Sequence, residues 1–476
     1  MYNKILSYLK EDIYPFHMPG HKGNSAFFPK EILKLDITEI PNMDVLSAPT
    51  GILREMQERI AHFYNSDKSY FLVNGSSAGV VAAICATCNE NTTVIIPRNA
   101  HISVYNGLVL SGGKPFYIMP EITCNSLVGG ICPSKFDNIP SNSVVLVVSP
   151  TYEGFVSDIA TIAKKVHAHN GILIVDEAHG AHFPFHNSFP KSAISQGADI
   201  VINSLHKTLP AFSQCAVLHV KSNFVDYDKL HFFINAMQTS SPSYMFMAST
   251  DYMLQMLWQD SSFFNNYVDN LKELRLSLPI IENEKDTANI GIALDVPIIG
   301  KNAIYDIDIS KLLFYVSNQK LDSAESISAI LANEYKIQVE MARGKHILAM
   351  TSVADTNEGF NRLQLAIYKL NYSLSTSQRD KEDCNKKICT GDIFSPFLPT
   401  TILSPKEALH YKTKQLPWKE AVGHISGELI TVYPPGISIL APGEQIPKEL
   451  APQAEFIRVI DNPTSKKPYL PNPKST

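Results

Sequence analysis

Short, nearly continuous apolar segments alternate with helical or loop sequence along the first half of the chain. Runs of this kind are typical of strands that are buried on both faces of a parallel sheet. They occur at YFLVN (70–74), TVIIP (93–97), KPFYIM (114–119), VVLVVS (144–149), GILIVDEA (171–178), DIVIN (199–203) and AVLHV (216–220). Between two of them, SDIATIAKKVHAHN (157–170) carries apolar residues at helical spacing. This strand–helix–strand order predicts a doubly wound α/β domain.

The pattern changes after a helical region near residues 245–275. Strands of a second, smaller sheet are predicted at NIGIAL (289–294), KIQVE (336–340) and HILAM (346–350), with helices at 309–317 and 358–373. A charged, polar stretch then predicts a linker, and dense proline beyond it is typical of a small irregular domain. The predicted organisation is an N-terminal segment (1–50), a large α/β domain (51–285), a small α+β domain (286–374), a linker (375–389) and a proline-rich C-terminal domain (390–476).

Composition excludes several classes of protein. The chain has 41 Lys and Arg against 46 Asp and Glu, and its net charge of −5 is opposite to that expected of a nucleic-acid binder. Its seven cysteines are odd in number and scattered, which argues against a disulfide framework, and Cys85 and Cys88 favour a buried helix face over a redox pair. We find no leader pattern and no apolar run long enough to span a membrane. We therefore expect a cytoplasmic protein with a small-molecule partner, and no nucleic-acid or membrane partner.

Two motifs place reactive side chains at the ends of predicted strands. In NSLHKTLPAFSQ (203–214), Lys207 stands where a strand ends and a loop is predicted to begin. Ligands of α/β sheets bind at these carboxyl ends, where desolvation disfavours an ammonium group and frees the amine for a Schiff base. In VDEAHGAH (175–182), Asp176 ends the strongest predicted strand, and a protonated pyridine nitrogen would pair with its carboxylate. Taken singly, the motifs are also compatible with a surface loop and a strand-end cap.

A third motif, NGSSAG (74–79), follows another predicted strand and precedes a predicted helix. Gly75, Ser76 and Ser77 would present N–H and hydroxyl groups at a helix N-terminus, which is a ready phosphate site, although an ordinary helix start has the same pattern. A phosphate site, an acid for a ring nitrogen and a lysine for an aldehyde together describe a site for pyridoxal 5'-phosphate.

With these motifs, the chain resembles the prokaryotic ornithine/lysine/arginine decarboxylase family, which belongs to the fold-type I (aspartate-aminotransferase-like) pyridoxal phosphate enzymes. The resemblance runs from about residue 14 to residue 447. It covers PFHMPGHKG (15–23), LSAPTGILREMQ (46–57), FLVNGSSAG (71–79), PRNAHISV (97–104), SPTYEGFVSDI (149–159), VDEAHGAH (175–182), SLHKTLPAFSQ (204–214), TSSPSY (239–244) and YPPGISILAPGE (433–444). The chain looks like the short, biosynthetic-type members, which lack an amino-terminal wing domain.

The resemblance implies a role for each matching residue. Lys207 would be the Schiff-base lysine, and Asp176 would keep the pyridine nitrogen protonated. Ser204 and His206 would lie close to the phosphate, and His101 would stack on the face of the ring. The catalytic residues that it implies are Lys207, His206 and Asp176. The cofactor-binding residues that it implies are Gly75, Ser76, Ser77, His101, Asp176, Ser204, His206, Lys207, Thr239 and Ser240.

The resemblance also implies an assembly. Thr239 and Ser240 would contribute to the phosphate site of a neighbouring subunit, which predicts a homodimer or a higher homo-oligomer. The alternative is that Ser240, Ser241 and Ser243 cap a helix that begins near Tyr244.

One position departs from the family pattern. The family usually carries a lysine directly after the stacking histidine, and Ile102 stands there in this chain. Stacking needs only the plane of the imidazole, so the expectation for His101 is unaffected. The missing ammonium group bears on substrate choice and on activity.

The expected reaction is decarboxylation of lysine, arginine or ornithine to the corresponding amine for polyamine metabolism. An aminotransferase or lyase on the same fold stays open, and so does a weakly active regulatory paralogue. An aminotransferase would need an arginine to clamp the substrate carboxylate, and Arg343 falls where such a clamp could lie. Either His206 or Tyr152 could return the proton to Cα.

Two further sets of residues invite an assignment. Candidate acids for a cationic distal group on the substrate are Asp44, Glu153, Glu177 and Glu428. His17 and His21 have metal-like spacing, but Pro19 and Gly20 between them break helical geometry. A loop at the entrance of the active site is therefore predicted there, and no metal is expected.

Overall fold

A mixed β-sheet covered by helices on both faces forms the largest part of the fold. In a computed structural model of the chain, the described residues are 14–16, 44–123, 127–281, 290–293, 299–316, 323–376, 398–432, 437–450 and 452–461. The strands are β1 (Tyr14–Phe16), β2 (Lys68–Leu72), β3 (Thr93–Pro97), β4 (Lys114–Ile118), β5 (Val144–Val148), β6 (Phe155–Val156), β7 (Ile172–Asp176), β8 (Ile200–Ser204), β9 (Ala216–Val220), β10 (Ile280–Ile281), β11 (Ile290–Ala293), β12 (Asp306–Ile307), β13 (Lys311–Val316), β14 (Ile337–Val339), β15 (Met341–Arg343), β16 (His346–Met350), β17 (Thr413–Pro417), β18 (Ile430–Val432), β19 (Ile437–Leu440) and β20 (Phe456–Ile460).

Most of the helices lie in the first two thirds of the chain. The α-helices are α1 (Ile52–Tyr64), α2 (Gly75–Thr87), α3 (Ile102–Ser111), α4 (Ile159–Ala168), α5 (Leu205–Thr208), α6 (Tyr227–Ala236), α7 (Tyr244–Gln259), α8 (Ser262–Ser277), α9 (Ala324–Tyr335), α10 (Asn357–Thr376), α11 (Pro405–Ala408) and α12 (Trp418–Ala421). Short 3₁₀ helices cover Pro133–Phe136, Phe183–Phe185 and Ala193–Gln196.

The main sheet has the strand order β2-β9-β8-β7-β5-β3-β4. The pairs among β8, β7, β5, β3 and β4 are parallel, whereas β9 runs antiparallel to both β8 and β2. Each of the seven apolar runs of the first half falls on one of these strands, and the predicted helix at 157–170 is present as α4. The predicted α/β fold is thus confirmed.

Alternation along the strands explains why their sequence is apolar throughout. In β5, Val144 and Leu146 pack into the apolar cluster on one face, and Val145 and Val147 pack into the cluster on the other. Because successive side chains point to opposite faces, a strand covered on both sides needs apolar residues at every position. Helix α2 is likewise almost entirely apolar and is buried from Gly79 to Ala86.

A second sheet has the order β10-β11-β13-β16-β15. Strand β13 is buried at every position and lies between β11 and β16, antiparallel to both. The prediction of a helix at 309–317 is therefore wrong. A buried helix and a buried central strand show the same unbroken apolar run, and the aromatic and β-branched residues of KLLFYV favour the strand.

Two other predictions for this region need adjustment. The run KIQVE forms β14, but it pairs in parallel with β1 and is not part of the second sheet. The helix predicted at 358–373 is present as α10 and continues through Thr376, so the first two positions of the predicted linker are helical. Positions 377–389 of that linker lie outside the described residues, and so do His17 and His21. The domain boundaries stay predictions.

The C-terminal residues are tied to the main sheet by one buried ion pair. Arg98, directly after β3, binds Glu444 through two contacts, Nη1 to Oε1 at 2.9 Å and Nη2 to Oε2 at 2.5 Å. The two side chains are 3% and 0% exposed. Glu444 also accepts the amide of Ala441, and the Arg98 guanidinium lies over the ring of Tyr117. The pair therefore holds the turn after β19 against the carboxyl end of β3.

None of the helices in the described part of the chain combines the length and the apolar character needed to cross a bilayer. The cysteines whose state is described, Cys85, Cys88, Cys132 and Cys215, are free.

Glu444→Gln should loosen the C-terminal segment, because it leaves the buried Arg98 guanidinium without its counter-charge. Removing one partner of a buried ion pair costs about 3–5 kcal/mol, so amide hydrogen exchange in residues 437–446 should accelerate about 100-fold or more. Mass spectrometry of the exchanged peptides measures this rate. Glu58→Gln, which breaks an exposed pair with Arg54, is the matched control and should leave the segment unchanged. Equal exchange in wild type and Glu444→Gln would contradict the role of the pair.

Candidate active site

One cavity of about 230 Å³ lies at the edge of the main sheet where its parallel strands end. The segments that follow β2, β3, β5, β7 and β8 all reach it, because the carboxyl ends of parallel strands share one edge of a sheet. The predicted cofactor-binding residues that line it are Gly75, Ser76, Ser77, His101, Asp176, His206 and Lys207. The fold thus brings together most of the residues that the sequence singles out.

Lys207 lies in α5, a four-residue helix that directly follows β8 and replaces the predicted loop. Its Nζ is 3.1 Å from Nε2 of His179. Burial lowers the pKa of Lys207, and the carboxylates of Asp176 and Glu340 act in the opposite direction. A lowered pKa leaves more of the amine neutral near physiological pH, which is the form that condenses with an aldehyde.

Asp176 stands at the last position of β7, as predicted, and is 6% exposed. Its Oδ1 accepts a hydrogen bond of 3.2 Å from the amide of Ala178. A buried carboxylate is unfavourable unless donors or a cation compensate its charge. A protonated ring nitrogen inside the cavity would supply that compensation.

Donor groups for an anion converge at the N-terminus of α2. Gly75 opens the helix with φ = +77°, a conformation that is strained for residues with a side chain. The amides of Ser76 and Ser77 lie in the first turn, where the helix itself offers no acceptor. The Ser76 hydroxyl accepts a hydrogen bond of 2.6 Å from the hydroxyl of Ser204, so Ser204 reaches the site through Ser76. This donor set fits a phosphate group.

His101 is fixed by the helix that follows it. It is the N-cap of α3, and its Nδ1 accepts the amide of Ser103 at 3.2 Å. Burial lowers the pKa of His101, with Asp176 opposing and Lys207 reinforcing the shift, so the ring is neutral with its proton on Nε2. Ile102 is the first residue of α3 and does not line the cavity.

The two candidate proton donors differ in their hydrogen bonds. His206 Nδ1 lies 3.0 Å from the carbonyl oxygen of Cys215 and donates to it. Burial lowers the pKa of His206, so its Nε2 carries a lone pair. The Tyr152 hydroxyl donates to Oε1 of Glu340 at 2.8 Å, and burial raises the pKa of the phenol. Tyr152 therefore retains its proton, whereas neutral His206 must first acquire one at Nε2.

Of the four candidate acids for a distal substrate group, Glu153 is the one that lines the cavity. Burial raises the pKa of Glu153 to about 7, while hydrogen bonds and the charge of Lys311 act to lower it. The other three are held elsewhere, Asp44 by amides at the start of α1, Glu177 by Ser192 and Ala193, and Glu428 by the amide of Arg458.

Arg343, the candidate for an aminotransferase clamp, lies on β15 outside the cavity. Of the described residues that line the cavity, none is an arginine. Arg98, close by after β3, is bound by Glu444. The described part of this chain therefore places no carboxylate clamp of the aminotransferase type in the cavity.

Thr239 and Ser240 are exposed and lie outside the cavity of their own chain. Ser243 caps α7, because its hydroxyl accepts the amide of Phe246. The capping alternative thus applies to Ser243, and a role for Thr239 and Ser240 toward another subunit stays a prediction.

Sequence reasoning missed two residues of the site. His179 belongs to VDEAHGAH, and its position three residues after Asp176 is the only signal that it gives. Lys311 opens β13 in the second sheet, and its Nζ reaches Nδ1 of His179 at 3.1 Å. Among the described residues, no group of three or more His, Cys, Asp or Glu side chains is placed to hold a metal ion.

Comparison with known proteins identifies a family. The sequence model described as "Orn/Lys/Arg decarboxylase, major domain" matches residues 1–315, and the one described as "Orn/Lys/Arg decarboxylase, C-terminal domain" matches residues 389–470. An arginine decarboxylase of Bacillus subtilis (strain 168) is 29% identical over 94% of this chain and 91% of its own length. An arginine decarboxylase of Halalkalibacterium halodurans is 30% identical over 94% of this chain and 90% of its own length. The inducible lysine decarboxylase of Escherichia coli (strain K12) is 24% identical over 96% of this chain and 76% of its own length.

Solved structures give the same fold. A lysine decarboxylase of Francisella novicida superposes with a TM-score of 0.74 at 20% identity, over 92% of this chain and 76% of that one. The constitutive lysine decarboxylase of E. coli superposes with a TM-score of 0.72 at 20% identity, over 94% of this chain and 75% of that one. The likeness establishes a shared fold, that of the fold-type I enzymes.

Proposed function

The chain belongs to the Orn/Lys/Arg decarboxylase family, and from this premise we propose that it binds pyridoxal phosphate at Lys207 and decarboxylates a basic amino acid. The family and the named relatives support the reaction class. One observation carries the proposal for this site. Lys207, Asp176 and the first turn of α2 come from three separate strand ends and meet at one cavity.

The groups present fit the cofactor in charge and in hydrogen bonding. The first turn of α2 would hold the phosphate, Asp176 would hold the ring nitrogen, and Lys207 would hold the aldehyde carbon. His101 would lie against the ring. When bound, pyridoxal phosphate supplies an electron sink for the electron pair that remains when carbon dioxide leaves.

The chain's own groups would orient the substrate and manage its protons. The Tyr152 hydroxyl holds a proton at the wall of the cavity, with Glu340 as its acceptor. His206 presents a lone pair at Nε2 and is held in place by Cys215. Either group could return a proton to Cα after decarboxylation.

We propose arginine as the first substrate to test, and Glu153 as the acid that binds its cationic end. Relatives at 29% and 30% identity are named arginine decarboxylases, which favours testing arginine before lysine and ornithine. Glu153 supports a basic substrate because this acidic residue lines the cavity. The amine product would serve polyamine metabolism, and the free cysteines fit a reducing cytoplasm.

We also propose that the active unit is at least a homodimer. Thr239 and Ser240 are exposed and lie outside the cavity of their own chain, which leaves them accessible to a neighbouring subunit. In this arrangement they would contribute to the partner's phosphate site.

The reaction itself is tested by product analysis. The purified chain with pyridoxal phosphate is supplied with carboxyl-labelled arginine, lysine or ornithine, and labelled carbon dioxide, amine and keto acid are measured. We expect carbon dioxide and the corresponding amine in equal amounts, with Lys207→Ala as the inactive control. Keto acid in place of carbon dioxide would establish the aminotransferase alternative. No turnover of any of the three would favour the regulatory paralogue.

Substrate binding should depend on pH through Glu153. Its pKa of about 7 means that the carboxylate forms as pH rises from 6 to 8, so KM for a cationic substrate should fall over this range. Glu153→Gln should raise KM about tenfold at pH 8 and abolish this pH dependence. Glu177→Gln is the matched control, since burial also raises the pKa of Glu177 to about 7 but its side chain lies away from the cavity. If Glu177→Gln removes the pH dependence and Glu153→Gln keeps it, the assignment is wrong.

Shared active sites should be detectable by mixing variants. Lys207→Ala subunits and Thr239→Val/Ser240→Ala subunits are each expected to be nearly inactive alone. Random pairing in equal amounts should restore about a quarter of the wild-type sites, because half of the dimers are hybrids and each hybrid has one intact site. Activity after refolding the mixture measures this. Absence of any recovery would show that the two sets of residues do not act across subunits.

A further inference from the structure

The imidazole of His179 is held between two lysines. Its Nε2 is 3.1 Å from Nζ of Lys207, and its Nδ1 is 3.1 Å from Nζ of Lys311. His179 follows β7 of the main sheet, and Lys311 begins β13 of the second sheet. His179 is 9% exposed and Lys311 is 3% exposed, so solvent does not separate the three groups.

Hydrogen-bond chemistry restricts the charges in the row formed by Lys207, His179 and Lys311. An ammonium group has only donors, and a neutral imidazole has one N–H and one lone pair. Burial, together with the neighbouring lysines and histidines, holds the pKa of His179 well below its usual value, so the ring is neutral. A neutral ring accepts from one ammonium group and donates to one amine. Both lysines cannot therefore be cationic while both contacts are hydrogen bonds.

The surroundings favour Lys311 as the cation. Asp308 and Glu153 lie within electrostatic range of Lys311. Burial raises the pKa of Asp308, whereas His182 and Lys311 lower it. The net effect lowers the pKa of Asp308, so this acid is ionised. Burial lowers the pKa of Lys207. Lys311 then donates to Nδ1, and Nε2 carries the proton and donates to the Lys207 amine.

We propose that Lys311 is a positioning residue that, through the tautomer of His179, holds Lys207 as a neutral amine ready to condense with the cofactor aldehyde. The inference rests on the proposed function, in which Lys207 binds pyridoxal phosphate. In the condensation, the nitrogen lone pair forms the bond to the aldehyde carbon, the carbon–oxygen bond breaks, and the oxygen leaves as water with the two hydrogens of the amine. An ammonium group has no lone pair and would first have to lose a proton.

Other charged and titratable groups face the row, and the test leaves them unchanged. Those that act on the row or share its cavity are Asp176, Glu340, His101, His206, Glu153, Asp308 and the Tyr152 phenol. Asp176 and Glu340 favour the ammonium form of Lys207. Burial opposes these two acids, and the contact with His179 adds a second influence on the charge of Lys207.

The test measures the titration of Lys207 directly. Full-length chain freed of cofactor with hydroxylamine is labelled by a trace of acetic anhydride between pH 6 and 11, and mass spectrometry gives the labelling rate at Lys207. In Lys311→Met, the midpoint should move upward by about one pH unit, with labelling near pH 7.5 slowed about tenfold. Lys311→Arg, which keeps the cation, should stay close to wild type. Lys221→Met is the matched control, because Nζ of Lys221 binds the carbonyl of Asn65 far from the row.

A double-variant cycle separates the tautomer from direct charge repulsion. His179→Phe keeps a planar ring and removes both hydrogen bonds, so it should raise the midpoint of Lys207 as Lys311→Met does. Adding Lys311→Met to His179→Phe should then cause little further change. If Lys311→Met has the same effect with and without His179, the link through the imidazole is refuted.

The outcomes also distinguish this inference from the proposed function. An unshifted Lys207 midpoint in both Lys311→Met and His179→Phe overturns the inference, even if the wild-type chain is an active decarboxylase. A shift that is found with Lys311→Met in the cofactor-free chain and that disappears in the His179→Phe background upholds the inference, even if product analysis assigns the enzyme a different reaction. If His179→Phe or Lys311→Met does not fold, His179→Leu or Lys311→Gln takes its place in the cycle.

Discussion

The amine of Lys207 has to be buried and yet remain able to react, and the rest of the site is arranged around that requirement. Burial removes water from the ammonium form, while Asp176 and Glu340 stabilise it. Asp176 cannot be dispensed with, since it is the acid that would hold the cofactor ring. The His179 ring between Lys207 and Lys311 offers a donor to the amine and so counterbalances the two acids.

The parallel sheet makes this arrangement possible. Its strands end on one edge, where the last residue of β7 supplies an acid and the segments directly beyond β2 and β8 supply a helix N-terminus and a lysine. The C-terminal segment completes the cavity with Ile437, and the buried pair of Arg98 and Glu444 fixes that segment to the end of β3. The second sheet contributes Lys311. Three parts of the chain therefore contribute to the cavity and to the row of side chains that ends at Lys207.

Local patterns in the sequence predicted the parts of the site that single segments contain. Continuous apolar runs located the strands of the main sheet, and the motifs at or just beyond the ends of these runs located Lys207, Asp176 and the turn at Gly75. The same signal failed at β13, because a buried helix and a buried strand have the same apolar pattern over six residues.

Contacts between distant segments had no local signal. Arg98 and Glu444 are 346 positions apart, and His179 and Lys311 are 132 positions apart on different sheets. Each of these side chains looks like an ordinary surface residue in its own segment. Only the tertiary fold shows that they are buried and paired.

The central claim is that Lys207 is the lysine that carries the cofactor, and chemical trapping tests it most directly. Sodium borohydride fixes a pyridoxyl group to the nitrogen that holds it, and peptide mass spectrometry then identifies the residue. For wild-type chain that is active with pyridoxal phosphate, the account predicts one pyridoxyl group per chain, on Lys207. A pyridoxyl group on Lys311, or an active chain with none on Lys207, would contradict it.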